Sequence, residues 1–247
     1  MQILTRTGHD LSAVLDIPDE PVVRGVVVFA HCFTCGKDLR AAREISRALS
    51  LQGWAMLRFD FTGLGESEGS FADTGFHSNV DDLVDAVNYA QERFEAPVIV
   101  AGHSLGGAAA LVAAADCPDV QAVCTIGAPS EPAHVKKLIQ CSIEDIERRG
   151  YAEVEIAGRT FTLGQEFLRA LEKPNMQVII ASLRRPLLLF HSPVDTVVGI
   201  DNAAAIFKHA RHPKSFVSLD SADHLLTKRT DARYVADVFA VWVSRYA

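Results

Sequence analysis

The sequence predicts an α/β fold: a mostly parallel, eight-stranded sheet with helices on both faces and a small cap inserted at about residues 129–183. Three observations predict it. Apolar, β-branched runs alternate with helical patterns, the order that builds parallel sheets. The central runs are almost continuously apolar, as strands covered on both faces must be. The alternation breaks once, between Pro129 and Leu183, where the chain is more charged. At 247 residues, about half of them hydrophobic, the chain suits one domain spanning 1–247 with that insertion.

The elements follow in order. Strand candidates around Gln2–Thr7 and Leu11–Ile17 flank Gly8-His9-Asp10 and read as a hairpin. Gly25–His31, Trp54–Asp60, Pro97–Gly102, Val120–Ile126, Pro186–His191 and Ser215–Leu219 supply the other six strands. Between them, Ser78 followed by Asp81 resembles a capping box, and Val80, Leu83, Val84, Val87 and Phe94 make one apolar stripe. The stretch Leu105–Ala115 is rich in alanine and suits a helix pressed closely on a sheet. Val235, Val238, Phe239 and Trp242 give the last helix its inner face. Within the cap, Val154 to Phe161 reads as a hairpin through Ala157-Gly158.

Composition narrows the function. Lys and Arg number 24 against 31 Asp and Glu, a net charge of −7, which disfavours nucleic acid or an anionic membrane as partner. The N-terminus has no secretory pattern and no apolar run reaches bilayer length, so a cytoplasmic location is expected. Five cysteines, an odd number scattered through apolar segments, fit a reduced thiol state.

The chemistry concentrates at Val98-Ile99-Val100-Ala101-Gly102-His103-Ser104-Leu105-Gly106-Gly107, a G-x-S-x-G between an apolar strand and a small-residue helix. A serine at so sharp a turn is strained, and its hydroxyl projects clear of the sheet. Gly102 and Gly106 remove Cβ atoms that would meet neighbouring backbone. A serine hydroxyl needs a base, and in this arrangement the acid and then the histidine follow it along the chain. His209 and His212 close a helix and read as solvated. His224 follows the last strand, and Asp195 follows the strand before it, so both reach the sheet edge of Ser104. Asp201 opens a helix and reads as a cap; Asp223 adjoins His224 too closely to orient it; Asp60 in Arg58-Phe59-Asp60-Phe61-Thr62-Gly63-Leu64-Gly65 reads as structural. The oxyanion donors expected from position are the N–H groups of Leu105 and of Phe33, in the loop Ala30–Asp38. No metal or organic cofactor is required. Cys32 and Cys35 in that loop form a C-x-x-C, which opens a rival reading as a thiol-redox pair, though the element order differs from a thioredoxin-like domain. A non-catalytic binding module is the third reading.

Together His31-Cys32-Phe33-Thr34-Cys35, Arg58–Gly65, Gly102–Gly107 and Thr125-Ile126-Gly127-Ala128-Pro129 resemble the α/β-hydrolase fold and superfamily, and within it the serine hydrolase domain often joined to an OsmC-like domain in bacterial fusion proteins. The resemblance implies a carboxylesterase-type serine esterase acting on small-molecule esters, or a thioesterase, with Ser104, Asp195 and His224 as its triad. The chain ends soon after its last helix and so does not itself carry the OsmC-like companion, whose presence in a parent protein the resemblance leaves open. Cys32 departs from the glycine that many superfamily members carry after the histidine.

Overall fold

A computed structural model describes residues 1–20, 22–156, 159–172 and 174–247. Strands β1 (Gln2–Leu4) and β2 (Asp10–Asp16) pair antiparallel around Gly8, whose φ of +83° suits a residue without a Cβ. Then β3 (Gly25–Ala30), α1 (Arg40–Ser50), β4 (Trp54–Phe59), α2 (Phe76–Arg93), β5 (Val98–His103), α3 (Leu105–Asp116) and β6 (Ala122–Ile126) alternate. The segment that follows carries a 3-10 stretch (Pro132–Ser142), α4 (Ile143–Arg149), β7 (Tyr151–Ile156), β8 (Arg159–Gly164), α5 (Gln165–Ala170) and α6 (Met176–Ser182). It returns to β9 (Leu187–His191), α7 (Asp201–His209), β10 (Lys214–Ser218) and α8 (Arg229–Val243).

The sheet has eight strands in the order β1-β2-β4-β3-β5-β6-β9-β10, parallel from β4 to β10, with β2 antiparallel to β4. This is the α/β-hydrolase architecture. Its two faces are built by period-2 alternation. Val26, Val28, Val98 and Val100 point to the core under α2 and α3, while Val27, Phe29, Ile99 and Ala101 point to the core under α1 and α8. Helix α3 is apolar on nearly every side and lies buried on the sheet between α2 and α6. β7 and β8 pair antiparallel as a separate two-stranded sheet. The turn expected at Ala157-Gly158 lies outside the described residues.

Several sequence expectations need correction. The Val120 strand begins at Ala122, because Val120 is still held in the preceding turn by its N–H to the Cys117 carbonyl. Ser78 is not an N-cap: α2 starts at Phe76, and the Ser78 hydroxyl reaches back to the Gly75 N–H (2.8 Å) and carbonyl (2.7 Å). It is the returning arm of a capping box whose other arm is missing, since Gly75 has no side chain. Asp201 is the first residue of α7 and makes no capping bond. The reduced thiol state does not hold for Cys32 and Cys35, which form a disulfide. A turn closed by the Cys35 N–H on the Cys32 carbonyl (3.0 Å) brings their Cα atoms to 5.3 Å, within bridging range. Cys117, Cys124 and Cys141 are free. Among the described residues no helix is long and apolar enough to cross a membrane.

Candidate active site

Ser104 occupies the turn between β5 and α3 with φ 54° and ψ −125°, a conformation L-residues hold only when their surroundings force it. Here the forcing is close packing of the turn. A Cβ on Gly102 would lie 2.2 Å from the Gly106 carbonyl oxygen, and one on Gly106 would lie 2.3 Å from that of His31. The chain can therefore bend this tightly only with both glycines present.

The distant loops converge on this turn. His224 Nε2 lies 3.0 Å from Ser104 Oγ, and His224 Nδ1 lies 2.7 Å from Asp195 Oδ2. Asp195 Oδ1 accepts the N–H groups of Val197 and Val198, each at 2.8 Å. Burial pushes the Asp195 carboxyl up, but His224 and those two N–H groups outweigh it and hold the acid below its ordinary range. An ionised Asp195 fixes the proton of His224 on Nδ1 and leaves Nε2 as acceptor for the serine hydroxyl. Gly127, with φ +56°, passes the pair closely: its Cβ would lie 3.4 Å from both Asp195 Oδ2 and His224 Nδ1.

The rival residues are employed elsewhere. Asp223 binds the Thr227 N–H (2.8 Å) and hydroxyl (2.5 Å). Asp60 accepts the Lys37 N–H (2.6 Å), the Lys37 ammonium (2.7 Å) and the Glu66 N–H (3.1 Å), so it knits the β3 loop to the Gly63–Ser67 turn. His209 and His212 lie at the far end of α7 and beyond it.

Phe33 and Leu105 line one small cavity, and among the described residues no acceptor takes up the N–H of either. His31 anchors their shared wall. Its Nδ1 donates to the Cys32 carbonyl (2.8 Å) and its Nε2 accepts the Phe61 N–H (3.4 Å), a neutral ring whose pKa burial lowers to about 4. Over this loop the segment between β6 and β9 brings two rings: Phe167 stacks on Phe33 at 5.2 Å, and Phe161 meets Phe71 at 5.6 Å. Arg159 donates to the Thr34 carbonyl at 3.3 Å.

Sequence reasoning missed three contributors. His103, the variable residue of G-x-S-x-G, donates from Nε2 to the His224 carbonyl at 2.7 Å. His191 donates from Nε2 to the Val198 carbonyl at 2.7 Å and so braces the Asp195 loop. Asn79 reaches the cavity from α2. None has a sequence signal, because each acts on a backbone carbonyl or lines a space assembled by the fold.

Known proteins share this framework. The family model described as serine aminopeptidase, S33 (Hydrolase_4), matches residues 21–148. The esterase domain of a Rhodothermus marinus protein is 46% identical, with a TM-score of 0.81 over 100% of this chain and 97% of that one. Est1E of Butyrivibrio proteoclasticus, solved with ferulic acid, shares the fold at 22% identity, with a TM-score of 0.82 over 100% of this chain and 98% of its own. Among curated sequences, protein YfhR of Salmonella typhimurium is 24% identical over 173 residues, 69% of this chain and 54% of YfhR. Rat monoglyceride lipase is 36% identical over 77 residues, 30% of this chain and 25% of the lipase. The chain thus spans about half the length of the first curated relative. With the family model covering more than half of its residues, the chain belongs to the Hydrolase_4 (serine aminopeptidase, S33) family of α/β-hydrolases.

Proposed function

We propose that this hydrolase is a serine carboxylesterase for small acyl esters, with Ser104 as nucleophile, His224 as general base and Asp195 as the acid that orients it. One observation carries the reading: the continuous contact from Ser104 Oγ through the His224 ring to Asp195, at 3.0 and 2.7 Å. His224 takes the Ser104 proton as Oγ attacks the acyl carbonyl. The oxyanion is met by the N–H groups of Phe33 and Leu105. His224 then returns the proton to the departing alkoxide, and water cleaves the acyl-enzyme by the same route. The 46% identity to an esterase domain supports an ester as substrate.

A thioester would pass through the same steps, and an ester panel with matched thioesters separates the two. Thiol-redox chemistry is disfavoured because Cys32 is only 4% exposed. An OsmC-like companion domain stays a proposal resting on the sequence resemblance. The test is Ser104→Ala. Its kcat on p-nitrophenyl butyrate should fall by about 10⁴-fold or more, with labelling by a fluorophosphonate abolished. Full activity in the variant would remove the nucleophile and the proposal with it.

A further inference from the structure

The cavity beside the oxyanion donors has a largely apolar wall, chiefly Phe33, Phe61, Leu64, Phe71 and Leu105, into which His31, Thr34 and Asn79 are set. Its free volume is about 10 Å³, room for a single water-sized group. One polar side chain in its wall stands out. Asn79 is 7% exposed, and among the described residues its carboxamide makes no hydrogen bond. Its neighbours in the wall differ in this respect: both ring nitrogens of His31 are engaged, the Thr34 hydroxyl donates to the Phe33 carbonyl (2.6 Å), and Cys32 is in its disulfide.

An amide offers two donors and two acceptor sites, and burying it without partners opposes folding. Leucine at this position would extend the apolar stripe of Phe76, Val80 and Leu83 at no such cost. The amide therefore calls for a ligand group that completes it. From Leu105 to Ala109, which also lines the cavity, is one turn of α3, about 6 Å along the axis. The cavity thus reaches about one helical turn from Leu105, and Asn79 shares it, so a group bonded to its amide lies in the same space as a carbonyl held at Leu105.

Resting on the esterase reading above, we infer that Asn79 is a specificity-determining residue that recognises one hydroxyl or oxo group on a short acyl chain. The size of the cavity limits the group to one polar atom with little beyond it. The carboxamide donates to an oxo group, and it either donates to or accepts from a hydroxyl.

The test uses matched p-nitrophenyl esters, with each rate normalised to hydroxide hydrolysis: pentanoate against 4-oxopentanoate, and butyrate against 3-hydroxybutyrate. The wild type should favour the polar member of at least one pair by about 10-fold or more in kcat/KM. Asn79→Leu should erase that preference, lowering the polar ester and sparing or raising the plain one. Asn79→Asp, an acceptor only, should keep a preference for hydroxyl and lose one for oxo. Equal wild-type rates within both pairs, or an Asn79→Leu effect that scales both members alike, would overturn the inference. Should Asn79→Leu fail to fold, the wild-type pairs and Asn79→Asp decide it. Fluorophosphonate labelling of Ser104 distinguishes the failures. Labelling without selectivity removes only the role of Asn79, whereas absence of both labelling and turnover removes the esterase reading beneath it.

Discussion

His103 braces the proposed triad from outside it. Its ring is buried and stands 4.9 Å from that of His224. Burial first, and then the neighbouring His224, push its pKa down to about 3, so the ring is neutral and its Nε2–H donates to the His224 carbonyl. That bond fixes the backbone from which the proposed base projects. His103→Leu should lower kcat by about 10- to 100-fold with little change in KM, because a small misplacement of a base is costly in rate. His103→Gln, whose amide N–H can reach the same carbonyl, should recover most of the loss. Steady-state kinetics on one ester checks both, and a His103→Leu enzyme of full activity would reduce His103 to filler. At this scale the sequence was informative where chemistry fixes a residue type. Ser104, Asp195 and His224 stand out because each follows a strand at the same sheet edge. His103, His191 and Asn79 were silent, since their partners lie 121 residues away, on a backbone carbonyl, or in a cavity that only the folded chain encloses.

Among the elements, strands were the most legible, because continuous runs such as Val26–Ala30 and Val98–Ala101 bury both faces and admit few other conformations. Their ends moved by a residue or two, where turn hydrogen bonds and not periodicity decide. For the loop from His31 to Asp38 the sequence predicts an oxyanion donor, which the variant below tests, but it does not predict the disulfide. C-x-x-C spacing serves free thiols, metals and bridges equally, and only the Cys32–Cys35 turn selects among them. The bridge closes just four residues, so chain entropy gives it about 2 kcal/mol at most. Its larger effect should be on catalysis, because Phe33 lies inside the closed ring. Cys35→Ser should cost no more than about 2 kcal/mol in urea unfolding. It should lower kcat by up to about 10²-fold, the scale of losing one oxyanion donor. An unchanged kcat would place the Phe33 N–H outside the reaction.

Across the whole molecule, the two cores on either side of the sheet are tied to the site through a few buried polar links that cross between elements. Asp82 on α2 is one. It is only 3% exposed, and it accepts the Thr62 N–H (2.8 Å) and hydroxyl (2.9 Å), fastening the loop after β4 to the helix that carries Asn79. Burial raises its pKa to about 6 from an ordinary 3.8; the Thr62 bonds oppose this, and Asp81 and Asp85 add to it. The folded chain therefore holds this proton more tightly than the unfolded chain does. The resulting stability is complete below pH 3.8 and is lost as pH rises through 6, an effect of about 2–3 kcal/mol. Asp82→Asn keeps an acceptor for the Thr62 N–H and a donor to its hydroxyl, and it has no proton to lose. Relative to the wild type, the variant should gain about 2–3 kcal/mol between pH 4 and pH 7.5, measured by urea unfolding of both proteins at each pH. If the difference between them stays constant with pH, or moves the other way, the Asp82 carboxylate is better accommodated than its burial implies, and the link between α2 and the β4 loop rests on its ionised form.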